Sequence, residues 1–91
     1  MNSRKNLRFS IILSKQTAKY IEKLSKKQID KVLNTLEEMT VNPFSGDIET
    51  IKGKPSYYRR RIGSYRIKFA ILVEKKEIRI LEFGPKGDFS Y

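Results

Sequence analysis

The chain contains no cysteine, no histidine and no tryptophan. Without cysteine there is neither a disulfide framework nor a thiolate metal site, a composition that fits a reducing cytoplasm. Without histidine, the commonest general base and the commonest metal ligand are both missing. A metal would have to be held by carboxylates alone, and Asp and Glu together number 10. No apolar run approaches ~18 residues, so no helix is expected to span a membrane. The opening "MNSRKNLRFSIILSKQ" does not resemble a signal peptide, because its short apolar run alternates like a strand. Acidic charge is the other shortage. Lys and Arg number 20, for a formal net charge of +10. An excess this large suggests a polyanionic partner: nucleic acid, an acidic membrane surface or an acidic protein.

At 91 residues, a single domain over 1–91 is expected, with a modest core. Leu7, Phe9, Ile11 and Leu13 recur at the strand period of two, which predicts a first strand. Ser14 then stands at a helix N-cap position. Ser25 and Gln28 form a capping-box pattern ahead of Ile29, Val32, Leu33, Leu36 and Met39. Two helices joined almost directly predict an αα-hairpin, closed at Asn42 by Pro43. Two prolines and two glycines between Asn42 and Ser56 argue for a long irregular loop. Strands are predicted over Tyr57–Ile62, Tyr65–Val73 and Ile78–Phe83. The order is that of an α+β domain: an N-terminal strand, a two-helix hairpin, then a three-stranded antiparallel meander. The helices cover one face of a small twisted sheet.

The segment "YYRRRIGSYRIKF" carries five cations and no acid. Gly63-Ser64 suits a two-residue type II′ turn, which sets the register. Ile62 then faces Tyr65, Arg61 faces Arg66, Arg60 faces Ile67, Arg59 faces Lys68 and Tyr58 faces Phe69. Tyr58, Arg60, Ile62, Tyr65, Ile67, Phe69, Ile71 and Val73 fall on one face, which is apolar except for Arg60. Tyr57, Arg59, Arg61, Arg66 and Lys68 fall on the other. Opposed like charges destabilise a sheet by about 0.8 kcal/mol per pair in water. The hairpin holds no carboxylate of its own to offset this. A phosphate backbone turns that repulsion into attraction, and Tyr57 beside the cations suits base stacking. The plain alternative is a solvated outer face.

At these residues the sequence resembles the RelE/ParE superfamily of type II toxin–antitoxin toxins. The likeness runs through Ile51-Lys52-Gly53, the Tyr58–Arg66 stretch "YRRRIGSYR" and Gly84-Pro85-Lys86-Gly87-Asp88. The resemblance implies a RelE-like fold and, in the RelE branch, a metal-independent endoribonuclease without cofactor. Such toxins cut messenger RNA in the ribosomal A site, in the cytoplasm, by attack of a 2′-OH on the adjacent phosphate. It further implies a cognate antitoxin, acidic and bearing an amphipathic helix. Carried over by position, Arg59, Arg61 and Arg66 are phosphate-binding and charge-stabilising residues. Lys86 stands where the family carries Arg, as acid or clamp. Tyr91 is the candidate for the C-terminal tyrosine, and Glu49 for a glutamate base. Lys52, Lys54, Tyr57 and Lys68 are candidate RNA contacts. Three departures stand out: Arg60 at a position usually apolar, Lys for Arg at 86, and a tail one residue longer before Tyr91. The same scaffold serves ParE-like gyrase inhibitors, which need no catalytic cluster. A non-catalytic nucleic-acid-binding domain or decayed toxin is the third reading.

Overall fold

The structure is a computed structural model that describes residues 8–85. Leu7, Lys86 and Tyr91 therefore lie outside the described residues. The elements are β1 (Ser10–Leu13), α1 (Lys15–Glu22), α2 (Lys26–Val41), β2 (Ile48–Ile51), β3 (Lys54–Ile62), β4 (Tyr65–Leu72) and β5 (Glu77–Pro85).

Both helices begin where the caps predict. The Ser14 hydroxyl accepts from the Thr17 amide at 3.1 Å. Ser25 and Gln28 exchange both capping-box bonds, at 3.3 and 3.2 Å. Each cap contributes about 1 kcal/mol by satisfying an otherwise orphaned amide. At the far end of α2, Asn42 leaves helical geometry (φ −144°, ψ 96°) because Pro43 follows. Its side-chain oxygen accepts from the Phe44 amide at 3.1 Å, an Asx turn that redirects the chain.

The sheet has five strands in the order β1-β5-β4-β3-β2. β1 runs parallel to β5, and all other neighbours are antiparallel. Ile21, Val32, Leu36 and Met39 of the helices pack against Ile62, Ile67, Phe69, Ile71, Ile78, Ile80 and Phe83 of the sheet. A register shift in β5 opposite Lys68 and Phe69 lets both Ile80 and Phe83 reach the core. Leu81 is the extra residue, and this β-bulge re-aims the side chains that follow it.

Two expectations change. Asn42–Ser56 is not wholly irregular: it contains β2 and the start of β3, so the meander has four antiparallel strands. Pro55 is tolerated because the ladder between β3 and β4 begins at Tyr57, so no paired amide is lost. Val73 does not join the apolar face. It falls just past β4, in the turn, and is 61% exposed.

Candidate nucleic-acid interface

The β3–β4 hairpin has the predicted register: Ile62 opposite Tyr65, Arg61 opposite Arg66, Arg60 opposite Ile67, Arg59 opposite Lys68 and Tyr58 opposite Phe69. Gly63 takes the positive φ (62°) that begins a type II′ turn, and Ser64 does not. The helices cover the face that bears Ile62, Ile67 and Phe69. Arg59, Arg61, Arg66 and Lys68 therefore share the opposite face, together with Tyr57.

Carboxylates from the flanking strands reach these cations. Arg59 Nη2 lies 3.1 Å from Glu49 Oε1, and Arg61 Nε lies 3.8 Å from Asp47 Oδ2. Lys68 Nζ lies 3.6 Å from Glu82 Oε2. The unneutralised patch expected from the hairpin alone is thus corrected, because its counter-ions come from β2, from Asp47 just before it, and from β5. Further along the same face, Arg79 pairs with Glu77 at 3.2 Å. Partly exposed ion pairs are worth about 0–1 kcal/mol each. That matches the repulsion they offset, so the sheet face is close to electrically balanced.

The four cations are not equally presented. The side chains of Arg59 and Lys68 are 19% and 18% exposed, whereas Arg61 is 47% exposed. Arg61 is therefore the guanidinium held out to solvent, at the turn end of the group opposite half-buried Arg66. Glu49 faces Arg59 directly across the β2–β3 ladder, which brings a carboxylate into the arginine cluster. Lys52 lies in the β2–β3 turn and Lys54 opens β3. The start of β3 is bulged, with Ile51 opposite Lys54, Thr50 opposite Tyr58 and Ser56 at φ 72°, so both lysines stand at the β2–β3 turn end of the sheet. Lys54 Nζ sits 5.9 Å from the ring centre of Tyr57. Lys86 and Tyr91 lie beyond the described residues.

Arg60 turns the other way and does not bend to the sheet edge. It is buried on the helix side at 7% exposure. Its Nη2 donates to Glu38 Oε1 at 2.9 Å, and its Nη1 to the Ser45 carbonyl and hydroxyl at 2.9 and 3.2 Å. It ties the end of α2 and the following loop to the middle of β3. Asp47 and Glu82 were not singled out from the sequence. The only signal for Asp47 is the β-branched run Ile48, Thr50 and Ile51 that follows it.

Residues 11–88 match the family described as the ParE toxin of the type II toxin-antitoxin system, parDE. The chain belongs to that toxin family. This confirms the likeness to the RelE/ParE superfamily. A Methanocaldococcus jannaschii protein carrying the toxin name RelE1 is 27% identical over 83 residues, covering 88% of this toxin and 92% of that protein. The RelE of the Pyrococcus horikoshii RelE–RelB complex has the same fold, with TM-score 0.79 and 24% identity, over 90% of this toxin and 99% of that chain. So does the isolated Escherichia coli RelE toxin, with TM-score 0.72 and 18% identity, over 85% and 83%.

Proposed function

We propose that this toxin is a ribosome-dependent endoribonuclease that cleaves messenger RNA in the A site and is held in check by a cognate antitoxin. The observation that carries the reading is the hairpin register, which sets Arg59, Arg61 and Arg66 side by side on the uncovered sheet face. Guanidinium groups stay charged at physiological pH and match phosphate oxygens with paired donors. They bind the scissile phosphate and stabilise the charge of the pentacoordinate transition state. The 2′-oxygen forms a bond to phosphorus as its proton passes to a base. The bond to the 5′-oxygen breaks, and that oxygen takes a proton from an acid. Glu49, beside Arg59, is assigned as the base, and Lys86 as the acid or clamp, with Tyr91 the alternative proton carrier. Lys68 and Tyr57 extend the RNA path. The RelB partners of the structural relatives support an antitoxin for this toxin too. An acidic amphipathic segment suits it. The site of action is the cytoplasm, where ribosomes are.

Two acids of the β2 region separate under this reading. Glu49→Gln is expected to lower the single-turnover cleavage rate roughly 100-fold, at the low end for a general base, with messenger binding retained. Asp47→Asn removes only a counter-ion of Arg61. It is expected to tighten binding about 2–5-fold and leave the rate within about 2-fold. Equal behaviour of the two variants removes Glu49 from the base role.

The second reading is a gyrase inhibitor, favoured by the ParE name of the matching family. A purified translation reaction and a supercoiling assay distinguish them. Intact messenger beside stalled ribosomes, together with blocked supercoiling, establishes the inhibitor.

A further inference from the structure

The sheet face is nearly balanced, so the net charge of +10 has to reside elsewhere. Only part of it lies on the helical hairpin, where residues 15–41 hold six lysines against Glu22, Asp30, Glu37 and Glu38, but those lysines all fall before Val32. Lys15, Lys19, Lys23, Lys26, Lys27 and Lys31 are all exposed there, with Glu22 and Asp30 the only acids between Lys15 and Leu36. Lys26 pairs with Asp30 at 3.6 Å, a contact between two solvent-facing side chains. Among the described residues, Lys15, Lys19, Lys23, Lys27 and Lys31 have no carboxylate within 4 Å.

Their placement works against helix stability. Lys15, Lys19 and Lys23 are spaced i, i+4, i+8, so they stack as one stripe of like charge. Neither helix has an acidic residue in its first turn. Lys15, Lys26 and Lys27 stand there instead, at the positive end of the helix dipole, where cations are disfavoured. The lysines continue onto α2, toward the β3–β4 turn. Lys27 and Lys31 line an open hollow of about 210 Å³ against Gly63, Ser64 and Tyr65, at the turn that follows Arg61.

We infer that the helical hairpin is a second RNA-docking surface, which grips the phosphate backbone of structured ribosomal RNA while the sheet face engages the messenger. The inference rests on the reading of this toxin as one that acts on ribosome-bound RNA. Each i, i+4 step advances about 6 Å along the helix, comparable with the separation of successive phosphates on one strand. Lysine is a compact point charge suited to such backbone contacts, which fix position without reading sequence. Between Lys15 and Val32 no aromatic or large aliphatic side chain is exposed, Leu33 and Val41 lying further along α2, and lysine is depleted from protein–protein interfaces. Both features argue against a protein as its occupant.

The test is binding of the full chain to purified ribosomes across a salt series. It compares wild type with the variant carrying Lys15→Gln, Lys19→Gln, Lys23→Gln and Lys27→Gln. The slope of log K against log salt is expected to become shallower by about three, because four phosphate contacts are lost. Arg61→Ala is expected to change it by about one. The quadruple variant should melt at the wild-type temperature or a few degrees higher, since two of its lysines oppose the helix dipole. An unchanged slope and affinity overturn the inference. So does retained ribosome binding with loss of binding to an acidic partner protein, which makes the stripe a protein surface. Cleavage is scored separately. A shallower slope for the variant, with messenger left intact by wild type, keeps the docking surface and removes the nuclease reading. Equal cleavage by both proteins at an equal KM removes the surface and keeps the nuclease.

Discussion

Arg61→Ala is expected to lower ribosome-dependent messenger cleavage by about 10²–10³-fold, the usual cost of removing one donor to a developing oxyanion. The side chain is half exposed, and its carboxylate partner Asp47 stands at 3.8 Å. Little of the fold depends on it. Removing it also abolishes the like-charge pair with Arg66 directly across the hairpin. A melting temperature within a few degrees of wild type, or slightly above, is therefore expected beside the loss of activity. Arg61→Lys keeps a charge but loses the planar fork, and an intermediate rate is expected. Primer extension on messenger from a purified translation reaction reads the cleavage, and thermal melting reads the fold. Wild-type cleavage by Arg61→Ala takes this guanidinium out of the chemistry.

One residue earlier in the chain the consequence reverses. Arg60→Ala is expected to destabilise the toxin by about 2–3 kcal/mol and lower its melting temperature by roughly 10–20 °C. Arg60 is a buried cation, and burial of a charge is tolerated only where hydrogen bonds compensate. Glu38 and Ser45 supply them, although Nε remains buried without a partner. Alanine deletes all three donor contacts and empties the space beneath the loop. Glu38 is 63% exposed, so its charge is left to water and the cost stays below that of a fully buried broken pair. Gly46→Ala tests the same fastening from the other side. Gly46 has φ +82°, and an added Cβ collides with the Arg60 guanidinium. Strain and steric conflict together predict a comparable loss of stability. A melting temperature unchanged in both variants overturns the role assigned to Arg60. At 37 °C either variant can lose activity by unfolding, so cleavage has to be compared well below the melting midpoint.

The hairpin was legible in the sequence for local reasons. A two-residue turn carrying glycine sets the pairing, and the period of two then sorts every side chain from Tyr58 to Phe69. The helices were legible because Ser14, Ser25 and Gln28 announce their starts. β2 was not, because Ile48-Glu49-Thr50-Ile51 is short, does not alternate and lies among the prolines and glycines of a loop. Its existence depends on β3 offering an edge, which is a tertiary fact. Missing β2 also hid the counter-ions, so the sheet face looked more positive than it is. Arg60 looked like a flaw in an apolar pattern for the same reason. Its partners are contributed by residues 22 and 15 positions away. Among the candidate site residues, Arg59, Arg61, Arg66 and Glu49 lie on neighbouring strands, and Lys52 and Lys54 lie at the β2–β3 turn.

The parallel pairing of β1 with β5 bears on how the toxin comes into being. Ser10 meets Glu77 and Leu13 meets Ile80, so among the described residues β1 has the much later β5 as its one sheet neighbour. The meander can form from local contacts, but β1 must wait until β5 has left the exit tunnel. Contacts so distant in sequence close slowly. A nascent chain therefore carries a finished arginine hairpin on an unfinished sheet, with the apolar side of β1 unsheltered. That interval is when an antitoxin or a chaperone has the most surface to hold.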